Sequence, residues 1–413
     1  MDGAANKKFF GIASAYTLGV FNDNFFKQAA CLIAIAVGKE EYQNLAAALF
    51  SLPFVIAAAP AGWCADKFPK RTIIILSKIA EVAAMIIGGI GLYYISWPLI
   101  MTMVFIMGLQ STVFSPALNG TIPEIYPKEK VLPVNGILKT TTSIAILFGM
   151  LAAGFTLHSH KQDGNVLIDG GLLTASICIM IAFFGVITAI FIPHSKAAKP
   201  DAQFPKNIFK KTIDELNLCR KDPPLWRVMK LDTFIWMVAA SQVLMVNKLG
   251  KNHLGLNELQ TSLLIFAQLI GVACGGAVIG KFGRNGRWLK LLMPSLIISG
   301  SGAFIAITSV ILMMPEHLLL ATAFSIIGVW VLGIGGGMFL VPLESYVQSR
   351  PSSDRKGAVI ATTNAFVFFA IMVFNVILWC LNMNAVTELG IIGAMLFCMA
   401  MWIKTKHKDN MEY

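Results

Sequence analysis

The stretch Gly62-Trp63-Cys64-Ala65-Asp66-Lys67-Phe68-Pro69-Lys70-Arg71 closes one long apolar run and opens the next. It gathers an acid and three bases into ten residues, a tight polar turn between segments that are otherwise poor in charge. A weaker echo, Gly276-Ala277-Val278-Ile279-Gly280-Lys281-Phe282, stands 214 residues further on, and bases follow both copies. Ser115-Pro116-Ala117 is echoed in the same way by Val341-Pro342-Leu343. Echoes at this spacing divide the chain into two similar halves, as internal repeats do in many membrane folds.

Composition decides the medium. Of 413 residues 56% are hydrophobic and 13% charged, with a mean hydropathy of +0.70. A soluble domain carries about 25% charged residues, so this chain cannot cover a soluble surface. A soluble enzyme, a nucleic-acid binder and a disordered chain are excluded together. A spanning helix needs about 20 mostly apolar residues. The breaks between such runs give spans at 9–38, 44–65, 72–95, 98–122, 133–157 and 171–193, then at 225–250, 257–280, 288–312, 317–347, 356–381 and 384–403. The expected fold is an all-α polytopic membrane protein with twelve transmembrane helices in two six-helix pseudo-repeats. Its parts are an N-terminal bundle over 1–193, a basic cytoplasmic linker over 194–224 and a C-terminal bundle over 225–413.

The net charge of +11 is best read by sidedness, because Lys and Arg favour cytoplasmic loops. Bases collect in every second loop: Lys7 and Lys8, Lys67 to Arg71, Lys128 and Lys130, the linker, Lys281 to Arg287, Arg350 to Lys356, and Lys404 to Lys408. Both termini are therefore expected in the cytoplasm, as an even number of spans also requires. A short amphipathic helix near 206–219 would either lie on anionic headgroups or form part of a solvated tether. The seven cysteines have neither Cys-x-x-Cys nor zinc spacing. They are expected to be small buried hydrophobes, and neither a metal site nor a cofactor is expected.

Gly62-x-x-Ala65-Asp66-Lys67-x-x-Lys70-Arg71 resembles the loop signature of the major facilitator superfamily. With twelve spans and a basic central loop, the resemblance covers the whole chain. It implies a conformational latch made of Gly62, Asp66, Lys67, Lys70 and Arg71. Gly62 would let two helices approach closely. Asp66 would sit at the N-terminus of span eleven, near Ser352 to Lys356, where the helix dipole favours an anion. The three bases would fix the loop at the cytoplasmic face. The plainer reading is a tight turn with a positive-inside stop. Gly280 replaces the aspartate in the second copy, so that latch should be weaker.

Within the superfamily the chain is similar to bacterial lysophospholipid transporters. The similarity rests on Phe21-Asn22-Asp23-Asn24, on Ser115-Pro116-Ala117-x-x-Gly120-x-x-Pro123-Glu124 with Asn135-Gly136, and on Lys78. It departs from them at Leu118, where they carry a lysine. It departs again in span seven, where Gln242, Asn247 and a terminal Lys248 stand in place of an arginine.

A charge inside a span costs roughly 2.5–3.5 kcal/mol on insertion scales and usually marks function. The spans leave Asp23, Lys27, Lys78, Glu81, Lys139 and Glu344 in the membrane. Asp23 and Lys27 are one turn apart and share a face of span one. The resemblance implies that spans one, four, seven and ten line a central cavity. Asp23 is then a candidate proton or sodium site, with Asn22 and Asn24 as neutral oxygen ligands; the alternative is a self-neutralised Asp23–Lys27 pair. Lys78 and Glu81, three apart, are as readily a mutually satisfied structural pair. Lys139 and Glu344 have no local partner, and Lys139 is expected to meet Asp23 or Glu344. Gly333-x-Gly335-Gly336-Gly337 follows no strand, so it reads as a close helix contact or hinge rather than a phosphate loop.

These readings point to a secondary transporter rather than an enzyme. The resemblance implies translocation of lysophospholipid across the bacterial inner membrane by alternating access, with proton or sodium coupling through Asp23. The protein is expected to act as a monomer among membrane lipids, with a phospholipid acyltransferase as a candidate partner and no role for nucleic acid. An exporter of an amphipathic drug or small metabolite is the alternative. Against drug antiport, Leu147 to Gly154 lacks the Gly-Pro pair usual in span five of such antiporters. A membrane-embedded acyltransferase or its accessory subunit is a third reading, disfavoured by the lack of a catalytic constellation at one membrane face.

Overall fold

A computed structural model describes residues 3–126, 128–158, 166–194, 196–204, 207–283, 288–313, 316–351 and 356–407. The described residues contain helices and no strand. In chain order the helices are α1 (Gly3–Ala36), α2 (Glu41–Ile56), α3 (Ala58–Lys67), α4 (Lys70–Tyr93), α5 (Trp97–Ile125), α6 (Lys128–His158) and α7 (Val166–Ile190). Then follow α8 (Lys210–Arg220), α9 (Pro223–Lys248), α10 (Glu258–Phe282), α11 (Trp288–Met313), α12 (Leu318–Ser349), α13 (Lys356–Leu381) and α14 (Ala385–His407).

Ten of these helices are long and apolar enough to cross a membrane, and α2 with α3 makes an eleventh span. The twelfth is α1, 34 residues long, whose hydropathy is lowered by Asn22, Asp23, Asn24, Lys27 and Gln28. α8 has only 11 residues, mostly polar, and lies in the linker. The single span expected over 44–65 is broken instead, with a 54° bend between α2 and α3. Proline is the reason: Pro60 has no N–H for the carbonyl four residues back and crowds its predecessor, and Pro53 stands inside α2.

By contacts the chain forms two compact units, Met1–Ile33 with Leu45–Asp214 and Ala34–Asn44 with Glu215–Tyr413. Inside the first, α4 lies against α5 and α7, and α3 against α5. Inside the second, α11 lies against α12 and α14, and α10 against α12. The same numbered spans of each half are thus paired alike, which is the pseudo-repeat in three dimensions. Ile12, Ile73, Ile74, Phe114, Leu118, Leu138 and Ala189 belong to one apolar core in the first unit.

In the second unit the glycine run of α12 forms two close contacts. A Cβ on Gly333 or Gly337 would strike the carbonyl of Gln268 or Val272 on α10. A Cβ on Gly335 would strike the backbone of Ser295 and Ser299 on α11. Small residues let helix backbones touch in this way where water-driven burial is absent. The cysteines are all free: Cys31, Cys178 and Cys219 are buried, but Cys380 and Cys398 are exposed. Those two correct the expectation of uniform burial, since helices facing lipid leave apolar side chains uncovered.

Candidate functional site

Charged and amide side chains meet where α1, α4 and α5 face one another. Asn22 is fully buried, and its Nδ2 donates to Glu81 Oε1 at 3.1 Å. Lys78 Nζ donates to Glu81 Oε2 at 2.7 Å. Lys78 reaches that position through a slot, because side chains on Gly19 and Gly185 would crowd it. Its ammonium also lies 4.8 Å from the centroid of Phe114. The pair is 2% and 1% exposed; desolvating two charges is costly, and the ion pair, the amide and the ring offset it. The expectation of a mutually satisfied pair describes this arrangement well.

Asp23 turns toward α5 instead. Its Oδ2 accepts from Ser111 Oγ at 3.3 Å, and Ser111 Oγ accepts from Gln110 Nε2 at 3.0 Å. Asp23 Oδ1 and Asn22 Oδ1 have no hydrogen-bond partner among the described residues. Lys27 makes no direct ion pair with Asp23 there; its Nζ lies 4.1 Å from the Phe50 ring centroid on α2. The self-neutralised Asp23–Lys27 pair is therefore not what holds this helix. Asn24 Nδ2 donates to Val20 O in its own helix at 2.7 Å. So the structure brings Asn22 to Glu81, and it commits the Asn24 amide nitrogen to backbone. Asp23 still senses Glu81, Lys27 and Lys78 electrostatically, and these four charges sum to zero. Lys139 lies on α6, but its side chain is outside the described residues.

The loop signature is engaged almost wholly within its own unit. Lys70 is buried and ion-paired with Glu124, lying in space left by Gly120. Arg71 Nη2 donates to Ile190 O at 2.8 Å, at the end of α7. Lys67 Nζ lies 5.0 Å from the Trp63 ring centroid. A Cβ on Gly62 would meet open space among the described residues. Asp66 is held by the linker: its backbone O accepts from Lys199 N at 2.8 Å, and its carboxylate pairs with Lys199 Nζ at 3.7 Å. Residues 352–355, part of the partner expected for Asp66, are outside the described residues.

In the second unit Glu344 on α12 is half-buried and within electrostatic reach of Asp232 on α9. Asp232 is 4% exposed, and its Oδ1 has no partner among the described residues. Gln268 Nε2 donates to Gln242 Oε1 at 3.0 Å. Lys248 is not a loose end: it is fully buried, with Glu388 Oε1 at 2.8 Å. Asp232, Lys248 and Glu388 are therefore membrane charges that the list of six omits. The acids stand inside the expected spans 225–250 and 384–403, so their presence was readable; the pairing of Lys248 with a residue 140 positions away was not. Leu118 is 1% exposed in the apolar core of the first unit.

Twelve spans in two repeated bundles, with paired and half-satisfied charges held inside the spans, are the build of a secondary transporter. A sequence model described as Major Facilitator Superfamily matches residues 11–375, and the chain belongs to that superfamily. It is 25% identical over 360 residues to the lysophospholipid transporter LplT of Enterobacter sp. (strain 638), covering 84% of this chain and 81% of that one. It is 26% identical over 362 residues to LplT of Escherichia coli O1:K1 / APEC, covering 85% and 82%. Among solved structures, the POT family transporter PepTSo superposes with a TM-score of 0.70 at 11% identity, covering 97% of each chain. The inward-open xylose transporter XylE from E. coli gives 0.65 at 15% identity, covering 96% of this chain and 95% of that one. These likenesses establish the fold, and the superfamily and relatives are transporters rather than enzymes.

Proposed function

We propose that this protein translocates lysophospholipid across the bacterial inner membrane by alternating access. The bundles 1–193 and 225–413 are the moving parts, 194–224 their cytoplasmic linker, and both termini are cytoplasmic. Similarity to LplT supports the cargo. The observation that carries the reading is the uncommitted pair on α1. Asp23 and Lys27 are an acid and a base one turn apart, both half-buried, and not spent on each other. A zwitterionic headgroup offers an ammonium to one and a phosphate to the other. Because the surrounding four charges already balance, a zwitterion enters without leaving net charge in low dielectric. A proton or sodium ion on Asp23 is the coupling we assign, with Lys139 and Glu344 as further contacts for substrate or ion. A phospholipid acyltransferase would consume the product.

Uptake of labelled lysophosphatidylethanolamine into vesicles tests this, with and without proton or sodium gradients. The native protein is expected to take up the lipid, and Asp23→Asn and Lys139→Ala to slow it at least tenfold. No uptake by the native protein would sink the lipid assignment. Equal uptake by Asp23→Asn would remove Asp23 from the mechanism.

A further inference from the structure

The linker does not leave the first unit at residue 194. Lys199 lies along the signature loop, bonded to Asp66 through both backbone and side chain. Three residues on, Ala202 O accepts from Trp63 Nε1 at 2.9 Å. Phe204 then meets the Trp63 ring edge-on, 5.1 Å between centroids, and Phe68 meets the same ring edge-on at 5.7 Å. Residues 199–204 thus make four separate contacts with two signature residues one turn apart, Trp63 and Asp66.

These contacts differ in kind from the rest of the signature. Lys70 is buried with Glu124 and cannot exchange partners without opening the bundle, and Arg71 donates to a backbone carbonyl at the end of α7 rather than to an acid. Asp66 and Lys199 are 48% and 71% exposed, and Phe204 is 55% exposed. An exposed ion pair adds little binding. Trp63 therefore keeps the segment docked, and the ion pair decides what Asp66 is engaged with. Few buried apolar contacts and an exposed carboxylate are the marks of a segment that opens locally.

We propose that residues 196–204 form a releasable strap that occupies Asp66 when docked on Trp63, and that transport requires the strap to let Asp66 go. The proposal rests on reading Asp66 as part of the superfamily latch. It makes the linker a competitor for the signature's single carboxylate.

The test uses the full chain with its seven cysteines replaced and the pair Asp66→Cys/Lys199→Cys introduced, reconstituted in phosphatidylethanolamine–phosphatidylglycerol vesicles. Docking is read without substrate, as disulfide yield on mild oxidation. High yield is expected, falling several-fold when Trp63→Ala is added and less with Trp63→Phe, which keeps a ring. Release is read as lysophosphatidylethanolamine uptake against the same variant kept reduced, whose baseline is already lowered by the missing carboxylate, and is expected to drop at least tenfold further on oxidation and to return with reductant. Lys199→Ala in the native background, which leaves Asp66 intact, is expected to change uptake at least threefold. A disulfide that does not form refutes the docked strap. A disulfide that forms without slowing uptake, or an unchanged Lys199→Ala protein, refutes the required release. If the native protein moves no lysophospholipid, the cargo is wrong, and the disulfide yield still decides whether the strap exists.

Discussion

Lys78 and Glu81 lie one turn apart on α4, with glycine slots around the ammonium and the Asn22 amide on the carboxylate. Removing one partner of a buried ion pair typically costs about 3–5 kcal/mol, because the other charge is left stranded. Lys78→Ala should therefore lower the unfolding temperature in detergent by several degrees or prevent folding. Lys78→Met/Glu81→Gln should recover most of the loss, since glutamine still accepts from Asn22. Lys248→Ala should behave like Lys78→Ala, leaving Glu388 alone at full burial. The same comparison shows what was legible at this scale. Three-residue spacing on a helix brought Lys78 to Glu81, which local geometry dictates. Asn22 and Asp23 are neighbours in sequence but point about 100° apart on a helix. One therefore reaches α4 and the other α5, and reading them as one ligand group overlooked that rotation.

α12 makes the corresponding case for whole helices. Alanine is favoured over glycine in a helix by roughly 1 kcal/mol, so Gly→Ala stabilises wherever there is room. Gly336 faces open space, and Gly336→Ala should leave the thermal midpoint unchanged or raised. Gly333→Ala and Gly337→Ala should lower it, because the new methyl meets backbone carbonyls of α10 that cannot turn aside. Equal midpoints for all three variants would remove the glycine contact from the account. Asn257 closes a capping box with Gln260 at the start of α10, and Asn257→Ala should cost about 1 kcal/mol. Span positions and the glycine run were legible because hydropathy and small-residue spacing are local properties. The break at Ala57 was not: a proline inside an apolar run is compatible with a straight, kinked or broken span, and neighbouring helices decide which.

For the whole molecule, the repeated pairing of second with fourth, third with fourth and third with sixth spans shows one six-helix plan used twice. The echo of residues 62–68 at 276–282 foreshadowed that plan. What no echo foreshadowed was the traffic between distant segments, such as Lys199 with Asp66 or Arg350 with Asp222 at 3.2 Å. The proposed cytoplasmic placement of both termini rests on the loop bases. Alkaline phosphatase fused after Asn384 should be active outside the cytoplasm, and fused after Arg220 it should be silent; the reverse pattern would invert the topology.

The strap also sets a length. Between Phe204 and the start of α8 at Lys210 stand only five residues, at most about 18 Å of extended chain. Beyond α8, Asp222 caps α9 and Arg220 lies 5.2 Å from the Trp226 ring centroid, so that end is moored as well. While the strap is docked the leash is short; letting go pays out the nine residues 196–204 and lengthens it to fourteen, roughly 50 Å. On the strap proposal, slack in this segment sets how far the released linker reaches. Three residues deleted from 205–209 should stall transport while helix and core stay intact.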